Sequence, residues 1–124
     1  MKNLLIVICL VLFVGCKDIL NPVKDVRTFR VEYRVSGSGT SSASLTYNNS
    51  DDNTSQISNA NLTWSYKFNA TNKEFFAYIS AQNNSNGGSI TSQIIIDGKV
   101  CSSSTSSGGY VIATASGRLE NLSP

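Results

Sequence analysis

The sequence contains no histidine. That absence removes the Ser–His and Cys–His nucleophile–base pairs and the commonest ligand for transition metals. Charge is scarce as well: 15% of the 124 residues, ten basic against eight acidic, for a formal net charge of +2. So even a balance excludes the dense basic surface that nucleic-acid binding requires. The length allows one domain and no second. Acidic groups are too few and too scattered for paired acid–base work. Asp18 and Asp25 precede the domain, Asp51 and Asp52 share one loop, and Asp97 sits in a tight turn. Glu32 falls on a solvent-facing strand position, and Glu74 and Glu120 belong to no motif. Serine is abundant, but no Ser-x-x-Lys supplies it with a base. The sequence therefore assigns no catalytic residue, no cofactor and no dedicated metal site. The oxygen-rich stretch Asp51-Asp52-Asn53-Thr54-Ser55 lacks the spacing of a calcium loop, and local turn hydrogen bonding accounts for its composition.

Hydrophobic residues make up 40% of the chain, but many are concentrated at its start. After Met1-Lys2-Asn3, residues Leu4 to Val14 form an unbroken apolar run. The run fits a signal-peptide core and falls short of the ~20 residues that span a bilayer. It closes on Phe13-Val14-Gly15-Cys16, which resembles a bacterial lipobox with phenylalanine in place of the usual leucine. On this reading residues 1–15 are a lipoprotein signal peptide, cleaved between Gly15 and Cys16. Cys16 is then lipidated, and each buried methylene of its acyl chains contributes about 0.8 kcal/mol to membrane binding. The mature chain begins at Cys16 and carries a formal charge of +1, because Lys2 leaves with the signal. Cys9 leaves too, so Cys101 has no intrachain disulfide partner and is expected to behave as a small buried apolar side chain. Residues 16–25 read as a tether, with Asn21-Pro22 blocking regular structure. Lys17-Asp18 after the lipidated cysteine resembles the start of outer-membrane lipoproteins in Gram-negative gut commensals.

Beyond the tether the pattern alternates with period two. Phe29, Val31, Tyr33 and Val35 are apolar while their neighbours are polar, which predicts a half-buried strand. Ala43, Leu45 and Tyr47 predict a second, and a short third passes through Gln56 and Ile57. Leu62, Trp64, Tyr66 and Phe68 form the clearest core-facing stripe. Glu74 to Gln82 is apolar on both faces and is expected at the centre of a sheet. Asp97-Gly98, between Ile90–Ile96 and Val100–Ser104, is a signal for a type I′ hairpin. Tyr110 to Leu119 predicts the last strand. No stretch shows helical spacing. These short strands predict an all-β, antiparallel, immunoglobulin-like sandwich of about seven strands over residues 26–119, with a polar tail at 120–124.

Aromatic residues are the remaining candidates for binding. Trp64 shares a face with Leu62 and Phe68, which favours core packing. Phe75 and Phe76 point to opposite faces, so one of the pair is expected at the surface as an anchor for a partner. Phe75, Phe76 and Trp64 are accordingly the candidate partner contacts. Basic residues Lys24, Arg27, Arg30 and Arg34 cluster about the first strand, with Glu32 partly neutralising them.

Several blocks, in order, carry a family resemblance. They are Tyr33-Arg34-Val35-Ser36-Gly37, Ser44-Leu45-Thr46-Tyr47, Leu62-Thr63-Trp64, Ile79-Ser80-Ala81-Gln82 and Ile94-Ile95-Ile96-Asp97-Gly98-Lys99-Val100. Their order and spacing resemble the MmpS-type small membrane proteins over nearly all of residues 26–116. The resemblance implies an exported β-sandwich without catalytic residues. Such proteins sit beside large resistance-nodulation-division transporters and are implicated in lipid or siderophore export. This chain differs in carrying a lipobox instead of a transmembrane helix, and in lacking the paired cysteines many of them have. The combined expectation is a non-catalytic, lipid-anchored envelope protein, held at the outer membrane through Cys16, with an envelope protein as partner. The alternatives are a surface module binding glycans or small apolar molecules, and an adhesin or structural subunit.

Overall fold

The computed structural model describes residues 26–124. Gly15, Cys16, Cys9 and the tether lie outside the described residues. Eight strands form: β1 (Phe29–Ser38), β2 (Ser42–Asn48), β3 (Thr54–Asn61), β4 (Trp64–Ala70), β5 (Phe76–Asn83), β6 (Ser89–Ile96), β7 (Lys99–Ser107) and β8 (Ile112–Arg118). They make two antiparallel four-stranded sheets, ordered β4-β1-β6-β7 and β3-β2-β5-β8. The architecture is the expected sandwich, with eight strands where the alternation suggested about seven. The extra length is in β3, whose eight residues include only two apolar ones, Ile57 and Ala60. An edge strand that packs on one side only needs little apolar sequence, so its pattern is weak.

Alternation sets the core. Phe29, Val31, Tyr33 and Val35 of β1 face Ala43, Leu45 and Tyr47 of β2, Ala77, Ile79 and Ala81 of β5, and Ala113 and Ala115 of β8. Ile90, Ile94 and Ile96 complete the buried set from β6. As its two-sided composition predicted, β5 lies inside its sheet, between β2 and β8. Trp64, Tyr66 and Phe68 do face inward, but only half-buried. Their strand, β4, is an edge, so solvent reaches one side of the stripe. Cys101 is likewise half-buried rather than fully enclosed. It sits at the irregularity where Ile94 opposes Ser102 and Ile95 opposes Val100, leaving Cys101 as the extra residue on an edge strand.

Two buried hydroxyls bridge the layers. The fully buried Tyr33 hydroxyl of β1 crosses to the other sheet, donating to the Asn48 carbonyl at 2.7 Å and accepting from the Tyr78 N–H at 3.3 Å. Burial pushes its phenol well above the usual tyrosine range, so the proton stays in place across ordinary pH. Ser92 of β6 donates to the Ala113 carbonyl of β8 at 2.9 Å. Around Tyr33 the rings of Tyr47, Tyr66 and Phe68 lie 5.5–6.1 Å away, centroid to centroid.

The chain enters one end of the sandwich at Val26. That near end also holds the turns after β2, β4 and β6, and the C-terminal segment. The β6–β7 turn is the two-residue hairpin its Asp-Gly predicted, with φ of 52° at Asp97 and 82° at Gly98. Asp97 also stitches the turn to β1. Its carboxylate accepts from the Arg30 backbone N–H at 3.1 Å and from the Arg27 guanidinium at 3.0 Å. These contacts, the backbone one foremost, hold its carboxyl below the usual aspartate range. The final strand starts at Ile112, because Tyr110 occupies a turn with φ of 58°. After Arg118 comes one helical turn, α1 (Leu119–Leu122). Leu119 is fully buried and Leu122 packs on the core. Its four residues are too few for helical spacing to show in the sequence.

Two predictions follow from these contacts. Tyr33→Phe strands the Asn48 carbonyl and the Tyr78 N–H, and is expected to cost about 1–3 kcal/mol in denaturant unfolding. A loss below 0.5 kcal/mol would show that the bridge contributes nothing. Asp97 has its folded pKa depressed, so its stabilisation is present above the unfolded value of about 4 and is lost as pH falls through the folded one. Asp97→Asn keeps a turn-forming residue but removes that titration. Melting temperature measured from pH 6 to pH 2 should therefore fall less steeply in the variant than in the parent, and equal slopes would contradict this.

Candidate functional site

Among the described residues the ionisable groups lie in surface pairs and turns. Glu32 is paired with Arg34 at 2.9 Å, and Asp97 with Arg27 and Arg30. In the β2–β3 turn, Asp52 accepts from the Asn48 side-chain amide at 2.8 Å. The Asn49 side chain caps the Asp51 and Asn53 N–H groups there, so the turn satisfies its own polar groups. Among the described residues no three His, Cys, Asp or Glu side chains gather as a metal group. Cys101 directs its thiol to the Lys99 carbonyl at 3.4 Å and has no disulfide partner among the described residues.

Charge is distributed unevenly along the sandwich axis. Arg27, Arg30, Lys67, Lys73, Lys99 and Arg118 lie towards the near end, as do Asp51, Asp52, Glu74, Asp97 and Glu120. Glu32 and Arg34 lie on the middle of β1, where Arg34 is opposite Ser65 and Gln93. Beyond that level no Asp, Glu, Lys or Arg occurs among the described residues. The far end is built from glycine, serine, asparagine and threonine loops around one buried amide. Asn83, fully buried, donates to the Gly87 and Gly108 carbonyls at 2.8 and 3.0 Å and accepts from the Ser85 N–H at 2.9 Å. Gly109 packs so closely on Asn86 that a Cβ would come within 2.6 Å of its carbonyl oxygen. These contacts lock the far loops together.

The candidate contact residues separate cleanly. Trp64 packs inward on Tyr47, 5.1 Å between centroids with the ring planes 51° apart. Phe75 is 7% exposed and packs on Phe68 at 5.4 Å, immediately before β5 begins. Phe76 is 47% exposed on the outer face, alongside Tyr78 at 6.4 Å with the ring planes 27° apart. Of the three, Phe76 is therefore the one presented to solvent. The outer positions of its sheet are otherwise Ser44, Thr46, Ser80, Gln82, Thr114 and Ser116 with their like, and the Ser80 and Thr114 hydroxyls pair at 3.0 Å. Arg118 lies at the near end of that face, opposite Phe76, and Asp52 lies at the same margin on the Asn48 amide.

Sequence reasoning missed two surface residues, Tyr110 at 60% and Ile112 at 56% exposure, at the far end of the same face. The signal that would have found the face is the long charge-free stretches 35–50, 53–66, 75–96 and 100–117, which alternation alone does not highlight. Two grooves open at the near end. One, of about 470 Å³, is lined by Arg30, Glu32, Lys67 and Ile95. The other, of about 510 Å³, lies between Val26, Phe29, Lys73 and the C-terminal residues.

Among the described residues no helix is long and apolar enough to cross a membrane. No curated protein matches this chain. A family match covers residues 14–115, spanning the end of the apolar run, the tether and the sandwich to β8. The chain belongs to the Mycobacterium membrane protein family, that of the MmpS-type small membrane proteins.

Proposed function

We propose that this protein is a lipid-anchored, non-catalytic accessory protein of the bacterial cell envelope, which presents a rigid sandwich to an envelope partner beside a transport or assembly system. The observation that carries the accessory reading is the family match over residues 14–115, which takes in the whole sandwich to β8, while the anchor rests on the sequence alone. Gly15-Cys16 at the end of the apolar run supplies the attachment chemistry, and outer-membrane retention follows from the lipoprotein-like start at Lys17-Asp18. The fold is consistent with such a role. Its acids are surface-paired or exposed, and its one buried amide is structural. A tether of ten residues, 16–25, reaches at most about 35 Å, so the near end faces the membrane at short range.

Cys16→Ser tests the anchor. Fractionation of cells expressing this variant should show it leaving the membrane pellet for the soluble fraction, and metabolic labelling with a fatty acid should disappear. A variant still sedimenting with membranes after a high-salt wash would refute lipid anchoring. The wash matters because basic residues near the tether hold a protein to anionic lipid only by screened attraction.

A further inference from the structure

We propose that the outer face of the β3-β2-β5-β8 sheet is a binding face for a neutral, linear polysaccharide. The proposal rests on the envelope reading above only for where the ligand is met, since the face itself stands on the sandwich alone.

The face is about 20 Å long from Phe76 to Gln82, seven residues along β5. It has an aromatic or apolar station at each end and hydroxyl or amide groups between. Phe76 and Tyr78 form the near station, their rings 6.4 Å apart. Exposed Tyr110 and Ile112 form the far one. Across the middle run Ser44, Thr46, Ser80, Thr114 and Ser116.

Three properties select the ligand. First, among the described residues the face carries charge only at its near margin, where Arg118 lies opposite Phe76 and Asp52 accepts from the Asn48 amide, whereas the opposite sheet carries Arg30, Glu32, Arg34 and Lys67 across its own outer face. A polyanion or polycation docking here would lose hydration without meeting opposite charge, which is unfavourable. Second, the apolar surface is split between the two ends. The core of a protein–protein interface is a continuous apolar centre with a polar rim, and this face has that arrangement reversed. A sugar chain suits it, because each ring offers a C–H face to an aromatic and hydroxyls to serine, threonine and glutamine. Third, the far station is held before any ligand arrives. Tyr110 sits in left-handed backbone, φ 58°, where a bulky residue is strained. Its N–H donates to the Ser85 carbonyl at 3.1 Å and its carbonyl accepts from the Gln82 amide at 3.2 Å. Strain sustained by the surrounding loops, with the side chain exposed, is a mark of a recognition site. Prior ordering of the loop also lowers the entropic cost of binding.

The test uses the full chain purified in detergent and three soluble neutral polymers: a mixed-linkage β-glucan, a galactomannan and an arabinoxylan, with polygalacturonate as the charged comparison. Affinity electrophoresis should show retardation by at least one neutral polymer and none by polygalacturonate. Calorimetric affinity should be unchanged, within twofold, between low and high salt, because no ion pairs are involved. Phe76→Ala and Tyr78→Ala should each weaken binding at least tenfold. Val100→Ala removes a comparably exposed apolar side chain on the other sheet, and should alter binding less than twofold. Unchanged melting temperatures in all three variants exclude a folding explanation.

Failure of every neutral polymer to bind would overturn the proposal, as would an equal loss in Val100→Ala. Concentration-dependent dimers that Phe76→Ala abolishes would overturn it too, assigning the face to a second copy. Cys16→Ser should bind the polymer as the parent does. Loss of the anchor reading and loss of the polysaccharide reading are thus distinguishable.

Discussion

The hydroxyl of Tyr33 is the point on which the two sheets are set against each other. Apolar contact alone lets packed sheets slide, because dispersion and burial are non-directional. A phenol that must satisfy the Asn48 carbonyl and the Tyr78 N–H fixes both distance and offset. Ser92 does the same one strand away, through the Ala113 carbonyl. Among the described side chains no buried polar atom is left without a partner, so these bridges do not trade specificity for unsatisfied groups. Tyr47 and Phe68 pack edge-on against the Tyr33 ring and Tyr66 stacks on it.

That alignment bears on the far end, and the register within one sheet on the near end. At the near end Val31 of β1 stands opposite Ile96 of β6, which brings Asp97 beside Arg30, and Arg27 and Arg30 gather around its carboxylate. Arg27 lies 4.2 Å over the Phe29 ring and also donates to the Ser123 carbonyl, so one side chain closes the N- and C-terminal segments together. At the far end the same alignment lets Asn83 reach two loops from within the core. The near end is thus held by charge and the far end by neutral amides and glycine contacts. This division of labour sets a charged end apart from the neutral outer surface of one sheet.

The strands in this sequence were legible where one face is buried and the other wet. β1, β2 and the Asp97-Gly98 hairpin follow directly from alternation and turn chemistry. β3 was understated because an edge strand needs few apolar residues, and Leu119–Leu122 was missed because a single helical turn carries no period. The aromatic candidates were only half readable. Alternation says that Phe75 and Phe76 differ, but not which one points in. The answer depends on Ala77, Ile79 and Ala81 facing β1 and β6 across the core, which is a property of the packed sheets.

The sequence by itself determined the all-β class, the alternating core and the hairpin turn. Each of these depends on a residue's own side chain or on neighbours within a few positions. Tertiary structure alone decided the half-burial of the Trp64 stripe on an edge strand, the burial of Phe75, the exposure of Phe76, Tyr110 and Ile112, and the gathering of charge at one end. The physical reason is that antiparallel strands return every second turn to the same end. Residues such as Lys73, Asp97 and Arg118, far apart in sequence, meet there, and the charge-free stretches between them are left to build a single neutral face.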